Sequence, residues 1–282
     1  MNREPLEPAT DAQVRAFRED GAVCLRRVFD ADWIEALRAA VDEDIASPGP
    51  MVRLNTPAGH PGRFFVDFQL WQRHPACRAA ALDSPLPAIA ARLLGSETVR
   101  WYHDHLLVKE PGTQERTPWH HDFPYYPLRS EGELDGVASF WLPLDPVPRD
   151  TAVEYVRGSH RWGKRYAPKF FRKDAAFDTA AAPVEEVPDI DAQRERYQLL
   201  GWDMMPGDVI AFTGLTLHGA PGNRSLERRR RAWALRYLGD RVRWSERPGT
   251  VSPPIEGHGL REGDAIGGPL FPRAWPPVKS RP

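Results

Sequence analysis

The sequence predicts a mainly β fold with flanking helices, built on a double-stranded β-helix core, the jelly roll of cupin-like proteins. From about residue 98 onward, short apolar runs alternate with turns rich in proline and glycine, which is typical of antiparallel strands joined by loops. Helical periodicity is confined to the first third of the chain. The 29 prolines in 282 residues also fit a loop-rich β protein better than a helical bundle.

The N-terminal third carries helix signals with defined ends. Thr10 is the predicted N-cap of a helix over 11–20, and Gly21 ends that helix. Asp30 caps a second helix over 31–45, whose apolar residues recur at helical spacing. A third helix is predicted over 76–94, with an interruption where two prolines occur near residue 86.

Strands are predicted wherever apolar and β-branched residues run between turn signals. The N-terminal part holds two such runs, at 22–29 and 63–68. The core holds five, at 99–109, 137–144, 152–156, 208–212 and 231–238.

We expect a single domain over residues 1–282. Its predicted parts are an N-terminal helical region (10–95), a jelly-roll core (98–241), an insertion that covers the mouth of the active site (163–200) and a tail rich in proline and glycine (246–282) that wraps the barrel or is partly loose.

Composition narrows the possible partners. The 38 basic and 39 acidic residues nearly cancel, which argues against nucleic acid or an anionic membrane as the partner. No apolar stretch is long enough to span a membrane, and the N-terminus lacks the apolar core of a signal peptide. The two cysteines, Cys24 and Cys77, form no disulfide framework. We therefore expect a cytoplasmic protein that acts on a small molecule, and the sequence leaves the oligomeric state open.

The triplet His120-His121-Asp122 is the strongest chemical signal, and His218 follows it about ninety residues later. On a β-strand, residues i and i+2 point to the same face, so His120 and Asp122 would project together with His121 turned away. Two imidazoles and one carboxylate form the facial triad that binds non-haem Fe(II) and leaves positions open for other ligands.

Four segments carry a family resemblance. They read HLLVKEPG at 105–112, PWHHDFPYY at 118–126, VRGSH at 156–160 and HGAPGN at 218–223, with an arginine run after the last. Over residues 13–241 the chain resembles the phytanoyl-CoA hydroxylase family of Fe(II)- and 2-oxoglutarate-dependent oxygenases. It departs from the family at His121, where many members have glutamine, and at Asp150-Thr151-Ala152, where many have Asn-Gly.

The resemblance implies that His120, Asp122 and His218 bind Fe(II), and that 2-oxoglutarate and O₂ are co-substrates. It also implies that 2-oxoglutarate is converted to succinate and CO₂. Hydroxylation or another oxidation is expected rather than halogenation, because related halogenases replace the aspartate with a small residue and this chain keeps Asp122.

Two arginines are candidates for the far carboxylate of 2-oxoglutarate, which arginine binds bidentately. The family usually has this arginine two residues before the alanine that opens the last core strand, so the resemblance implies Arg230, which lies two residues before Ala232, whereas counting forward from His218 as in the family gives Arg229. Strand alternation puts Arg230 on a face of small residues, which suits a crowded barrel interior, so we favour it. Lys109 is a further candidate for neutralising the co-substrate.

The sequence leaves alternatives open. His103 and His105, two residues apart, could join a third histidine in a zinc site. A cupin-like metalloenzyme that does not use 2-oxoglutarate, or a non-catalytic β-barrel binding module, would also fit a jelly roll. His160 is expected to cap a turn rather than to bind metal.

The predicted substrate is a small or mid-sized, largely apolar metabolite, such as an acyl thioester or a secondary metabolite. Aromatic side chains line many small-molecule sites. The candidate pocket walls are Phe65, Trp71, Tyr125, Tyr126 and Trp141.

Overall fold

The computed structural model describes residues 1–132, 134–167, 185–246 and 251–277. Its helices are α1 (Asp11–Asp20), α2 (Ala31–Ala46), α3 (Leu70–Arg73), α4 (Pro75–Asp83) and α5 (Leu86–Leu94). Its strands are β1 (Ala22–Leu25), β2 (Arg53–Leu54), β3 (Phe64–Phe68), β4 (Val99–Lys109), β5 (Thr117–His120), β6 (Leu128–Ser130), β7 (Val137–Pro143), β8 (Glu154–Val156), β9 (Leu199–Leu200), β10 (Val209–Thr213), β11 (His218–Ala220), β12 (Arg230–Gly239), β13 (Val242–Trp244) and β14 (Arg273–Trp275).

Two antiparallel sheets face one another. The main sheet runs β1-β10-β7-β12-β4-β3-β2, with β14 also paired to β4, and the smaller sheet runs β5-β11-β8-β9. Apolar side chains from both sheets meet between them, among them Phe212 of the main sheet and Tyr155 of the smaller one. This arrangement confirms the predicted jelly roll.

The helices cover the outer face of the main sheet. On β12, Trp233, Leu235 and Tyr237 are buried in the same core cluster as α2 residues such as Trp33 and Leu37. The residues between them on β12 face the other way, into the space between the sheets, because side chains alternate along a strand. One face of β12 therefore anchors the fold, and the other lines a cavity.

Local signals explain where the first helices begin and end. Thr10 and Gln13 form a reciprocal capping box at the start of α1, and Gly21 ends it in the left-handed region at φ 87°. Asp30 accepts the backbone N–H of Trp33 at the start of α2. The predicted third helix is divided into α4 and α5, with the break at the predicted proline positions, and the short α3 precedes them.

The first predicted strand is shorter than expected. It ends at Leu25, because the backbone turns at Arg27, which has φ 49°. Residues 168–184 of the predicted insertion lie outside the described residues. In the tail, β14 adds to the main sheet and Phe271 is buried against Tyr102. Among the described helices, none has the length and apolar character that crossing a membrane requires.

Candidate active site

Pairing of two strands brings the distant histidines together. His120 at the end of β5 is the register partner of His218 at the start of β11, and their ring centroids lie 4.2 Å apart. The expectation that Asp122 continues this strand is wrong. The strand ends at His120, and Asp122 has helical φ and ψ at the start of a short 3₁₀ helix, Phe123–Tyr125. This turn still brings its carboxylate to the histidines.

The three side chains converge on one point. Asp122 Oδ1 lies 3.5 Å from Nε2 of His120 and 3.8 Å from Nε2 of His218. One ligand atom from each residue lies within 4.8 Å of the others, and within the described parts of the chain no other group of this kind occurs. The alternative zinc site gains no support, since His103 contacts the ring of Tyr126 and His105 stacks on Phe68.

Backbone carbonyls fix the orientation of both imidazoles. Nδ1 of His120 lies 2.8 Å from the carbonyl oxygen of Pro118, and Nδ1 of His218 lies 2.9 Å from that of Thr216. A carbonyl oxygen can only accept, so each Nδ1 carries the hydrogen and each Nε2 keeps its lone pair facing the aspartate. This tautomer is the one that a metal ion at the convergence point requires.

Arg236 on β12 holds the other oxygen of the aspartate. Its Nη2 and Nε donate to Asp122 Oδ2 at 3.0 and 3.3 Å, and both side chains are buried. Oδ2 is thus occupied while Oδ1 points to the histidines, which favours a carboxylate that coordinates through one oxygen. No sequence motif considered above points to Arg236.

The charge states suit metal binding. Burial alone would raise the pKa of Asp122, but the charge of Arg236 holds it well below its ordinary value. Burial, reinforced by the neighbouring His120, lowers the pKa of His218 to about 3. At neutral pH the aspartate is therefore ionised and His218 is neutral, as metal ligands must be.

Two buried cations lie side by side on the inner face of the main sheet. Lys109 and Arg230 are register partners on β4 and β12, and each is at most 7% exposed. Lys109 Nζ and Arg230 Nη2 both donate to the carbonyl oxygen of Pro221 at 3.0 Å, and Arg230 Nη1 also donates to the carbonyl of Thr151. Neither makes an ion pair with any carboxylate of the described residues.

Electrostatics make this pair a ready site for an anion. Burial, with the neighbouring Arg230, holds the pKa of Lys109 well below its ordinary value, and burial lowers that of Arg230 to about 10. A buried cation without a counter-ion is costly, and a bound carboxylate would relieve that cost.

Arg229 lies outside this site. It points away from the barrel interior and forms ion pairs with Asp42 and Glu110, with its side chain 40% exposed. Arg229 directly precedes β12 and points outward, whereas Arg230, the first residue of β12, faces the cavity.

One cavity joins two groups of side chains: His120, Asp122 and His218, which we call the metal cluster, and the cation pair Lys109 and Arg230. Its wall includes three of the predicted aromatic residues, Tyr125, Tyr126 and Trp141. Phe65 and Trp71 lie instead in the core under the helices, so the structure does not support them as pocket walls. Along β3, the side chains of Phe64 and Phe68 lie on the inner face of the sheet and that of Phe65 lies on the outer face. Phe68, and not Phe65, therefore lines the cavity.

Two other histidines have structural contacts. His121 turns away from the cluster, and its Nε2 accepts the backbone N–H of Tyr166 at 3.0 Å. His160 lies in a 3₁₀ turn, with Nε2 2.9 Å from the carbonyl oxygen of Arg18. Neither is part of the metal cluster.

Comparison with known proteins assigns the family. The profile of the phytanoyl-CoA dioxygenase (PhyH) family matches residues 17–232. The chain belongs to this family. Among curated relatives of this PhyH protein, the dioxygenase cdmD of Talaromyces verruculosus is 26% identical over 76% of this chain and 69% of its own. The ectoine dioxygenase of Sphingopyxis alaskensis is 25% identical over 77% of this chain and 72% of its own.

Solved structures agree with the PhyH assignment. The α-ketoglutarate-dependent carbocyclase SnoK from nogalamycin biosynthesis is 26% identical, with a TM-score of 0.72 over 97% of this chain and 99% of its own. The epimerase SnoN, solved with Fe³⁺, α-ketoglutarate and nogalamycin RO, has a TM-score of 0.74 at 21% identity over 94% of this chain and 98% of its own, which shows the shared fold.

This PhyH protein is an iron- and 2-oxoglutarate-dependent dioxygenase. Its own residues fit both groups: the cluster offers two neutral imidazole nitrogens and one carboxylate oxygen, the donor set of non-haem Fe(II) sites. The cation pair offers a buried partner for a carboxylate. The predicted family, fold class and cofactors are confirmed.

Proposed function

We propose that this enzyme hydroxylates an unactivated C–H bond of a small or mid-sized, largely apolar metabolite, with formation of succinate and CO₂. The observation that carries the proposal is one cavity that contains a two-histidine, one-carboxylate cluster, a buried cation pair and an otherwise mostly apolar and aromatic wall.

In this proposal, His120, Asp122 and His218 hold the iron. When bound, iron with 2-oxoglutarate and O₂ supplies the oxidant that replaces a substrate C–H with C–OH. The carbonyls of Pro118 and Thr216 keep the imidazoles in the binding tautomer. Arg236 keeps Asp122 ionised and turned toward them.

The cation pair would bind the far carboxylate of 2-oxoglutarate. Arg230 has the planar fork that binds a carboxylate through two hydrogen bonds, and Lys109 adds a point charge beside it. Small side chains on the same face of β12, Ala232 and Ala234, leave room between this pair and the cluster. A cupin-like enzyme without 2-oxoglutarate, or a binding module, would leave this buried cation pair without a role.

The presence of Asp122 supports hydroxylation over halogenation. A carboxylate at this position takes the coordination site that a halide would need, and two hydrogen bonds from Arg236 keep it in place. The substrate carbon would then receive a hydroxyl group and not a halogen.

The substrate would lie against the aromatic part of the wall. Tyr125, Tyr126 and Trp141 line it, and such rings exclude water and pack against an apolar body.

We also propose that the enzyme acts in the cytoplasm. Cys24 and Cys77, the two cysteines, are both buried and free of disulfides, as a reducing compartment requires.

The first experiment is anaerobic titration of the metal-free protein with Fe(II) and then 2-oxoglutarate, followed by visible absorbance. We expect a weak charge-transfer band that needs both components. A screen of candidate substrates by succinate release, with mass spectrometry for one added oxygen, then tests hydroxylation. Iron binding with no band would refute the use of 2-oxoglutarate. Turnover without added oxygen in the product would refute hydroxylation.

A further inference from the structure

Arg53 is a cation of the cavity that neither the metal cluster nor the proposed 2-oxoglutarate site uses. It lies on the edge strand β2, opposite Val66 of β3, and its side chain lines the cavity. Its guanidinium lies 5.4 Å from the ring centroid of Phe68. Phe68 in turn stacks on His105, with centroids 4.3 Å apart and planes 16° apart.

This stack fixes the position of a charge. The Phe68 ring gives the guanidinium a flat surface to lie on, which favours arginine over a freely moving cation. Among the described residues, Arg53 makes no ion pair. The hydrogen-bond donors of its guanidinium therefore remain available at the outer edge of the main sheet. The other end of the Arg53–Phe68–His105 stack is His105, which lies in the cavity wall.

The side chains that line the cavity carry a net positive charge, and Arg53 lies at its solvent-exposed edge. Asp122 is the only carboxylate among the described lining residues, while Arg53, Lys109, Arg230 and Arg236 all line the same space. Asp122 pairs with Arg236. Fe(II) and 2-oxoglutarate bring two positive and two negative charges, so together they cancel. The loaded cavity stays positive even if Lys109 is neutral.

We infer that the substrate carries an anionic group, a carboxylate or a phosphate, that Arg53 binds at the cavity edge while the apolar body reaches toward the metal cluster. This inference rests on the proposed function and narrows it from an apolar metabolite to an apolar acid. Arg53 would act as a specificity residue: it fixes one end of the substrate and so selects which carbon lies near the cluster.

The test uses the full-length enzyme with Fe(II) and saturating 2-oxoglutarate, without O₂. The probes are short aliphatic and aryl-alkyl carboxylates, each paired with its primary amide and with the phosphonate of the same carbon skeleton. Binding is measured as the shift of the charge-transfer band. We expect at least one acid to bind about tenfold or more tightly than its amide, and the carboxylate–phosphonate comparison identifies the preferred anion.

Arg53→Gln should reduce that preference to within about threefold and leave the band itself unchanged. The matched control is Arg63→Gln, because Arg63 also lies over a phenylalanine ring, at 5.1 Å from Phe65, but does not line the cavity. It should keep the preference of the unmodified enzyme.

Amides that bind as well as acids would overturn the inference, as would an acid preference that survives Arg53→Gln. Acids that abolish the band compete for the 2-oxoglutarate site and also count against it, as does a panel in which no acid shifts the band. A band that fails to form before any probe is added would instead refute the proposed function.

Discussion

Arg230 and Arg229 are adjacent in sequence but lie in opposite environments, so they allow a matched test of the 2-oxoglutarate site. Arg230 is 7% exposed and faces the cavity beside Lys109. The side chain of Arg229 is 40% exposed and pairs with Asp42 and Glu110. Replacing each with leucine removes one guanidinium from adjacent positions of the chain, but only the replacement of Arg230 removes a cation from the cavity.

The size of the effect follows from burial. Truncating one partner of a buried, hydrogen-bonded charge pair costs about 2–4 kcal/mol, which corresponds to a rise of about 30- to 700-fold in the Kd of 2-oxoglutarate for Arg230→Leu. Exposed ion pairs contribute at most about 1 kcal/mol, and those of Arg229 stabilise the fold rather than the ligand. Arg229→Leu should therefore change this Kd by less than about threefold.

The assay is anaerobic titration of the Fe(II)-loaded protein with 2-oxoglutarate, followed by the charge-transfer band. Arg230→Lys is a second variant, since it keeps the charge but loses the fork, and it should fall between the other two. Thermal unfolding of each variant separates lost binding from lost structure. If Arg229→Leu weakened 2-oxoglutarate binding while folded Arg230→Leu retained it, Arg230 would not be the 2-oxoglutarate residue.

Three further predictions concern the metal cluster and its neighbours. His120→Gln should abolish stoichiometric Fe(II) binding, whereas His121→Gln should retain it; the opposite result in an iron titration would mean that the strand register is wrong. Arg236→Met should lower Co(II) or Fe(II) affinity about 10- to 100-fold, because Asp122 loses the donors that orient it, and Arg236→Lys should recover part of that loss; unchanged affinity would exclude a positioning role. Burial lowers the pKa of His121 to about 4, below its ordinary value of 6.5. Between these two pH values His121 is protonated in the unfolded chain but neutral in the folded one, so the free energy of unfolding falls as the pH drops from 6.5 toward 4. His121→Gln should reduce this loss of unfolding free energy, measured by denaturant unfolding across the same pH range. An unchanged pH profile would contradict a contribution from His121.

The sequence predicted the elements whose signals are local. Helix α1 spans the predicted residues, because a capping box and a terminal glycine are both encoded within a few residues. The long strands β4 and β12 were also predicted from their apolar runs. The two-residue strands β2 and β9 were not predicted, because they are too short to show a period and exist only through pairing with a partner.

The same distinction applies to the site. His120, Asp122 and His218 were predicted together from the histidine–aspartate motif and the family resemblance, although Asp122 reaches its position through a helical turn rather than a strand. Phe65 and Trp71 were predicted as pocket walls from residue type alone, which does not tell a core ring from a pocket ring. Alternation with Phe68 could have moved the choice to the correct face of β3.

Arg236 shows how far strand alternation could have extended the prediction. The rule that selected Arg230 places residues 232, 234 and 236 on the same inner face of β12, so a buried arginine in the cavity was predictable. Strand alternation alone does not identify its partner, because Asp122 is 114 residues away and leaves its strand just before the contact. A counter-ion stabilises a buried arginine, and the only carboxylate that the motif places in the barrel is that of Asp122, the proposed metal ligand. Charge accounting added to strand alternation therefore points to the Arg236–Asp122 pair.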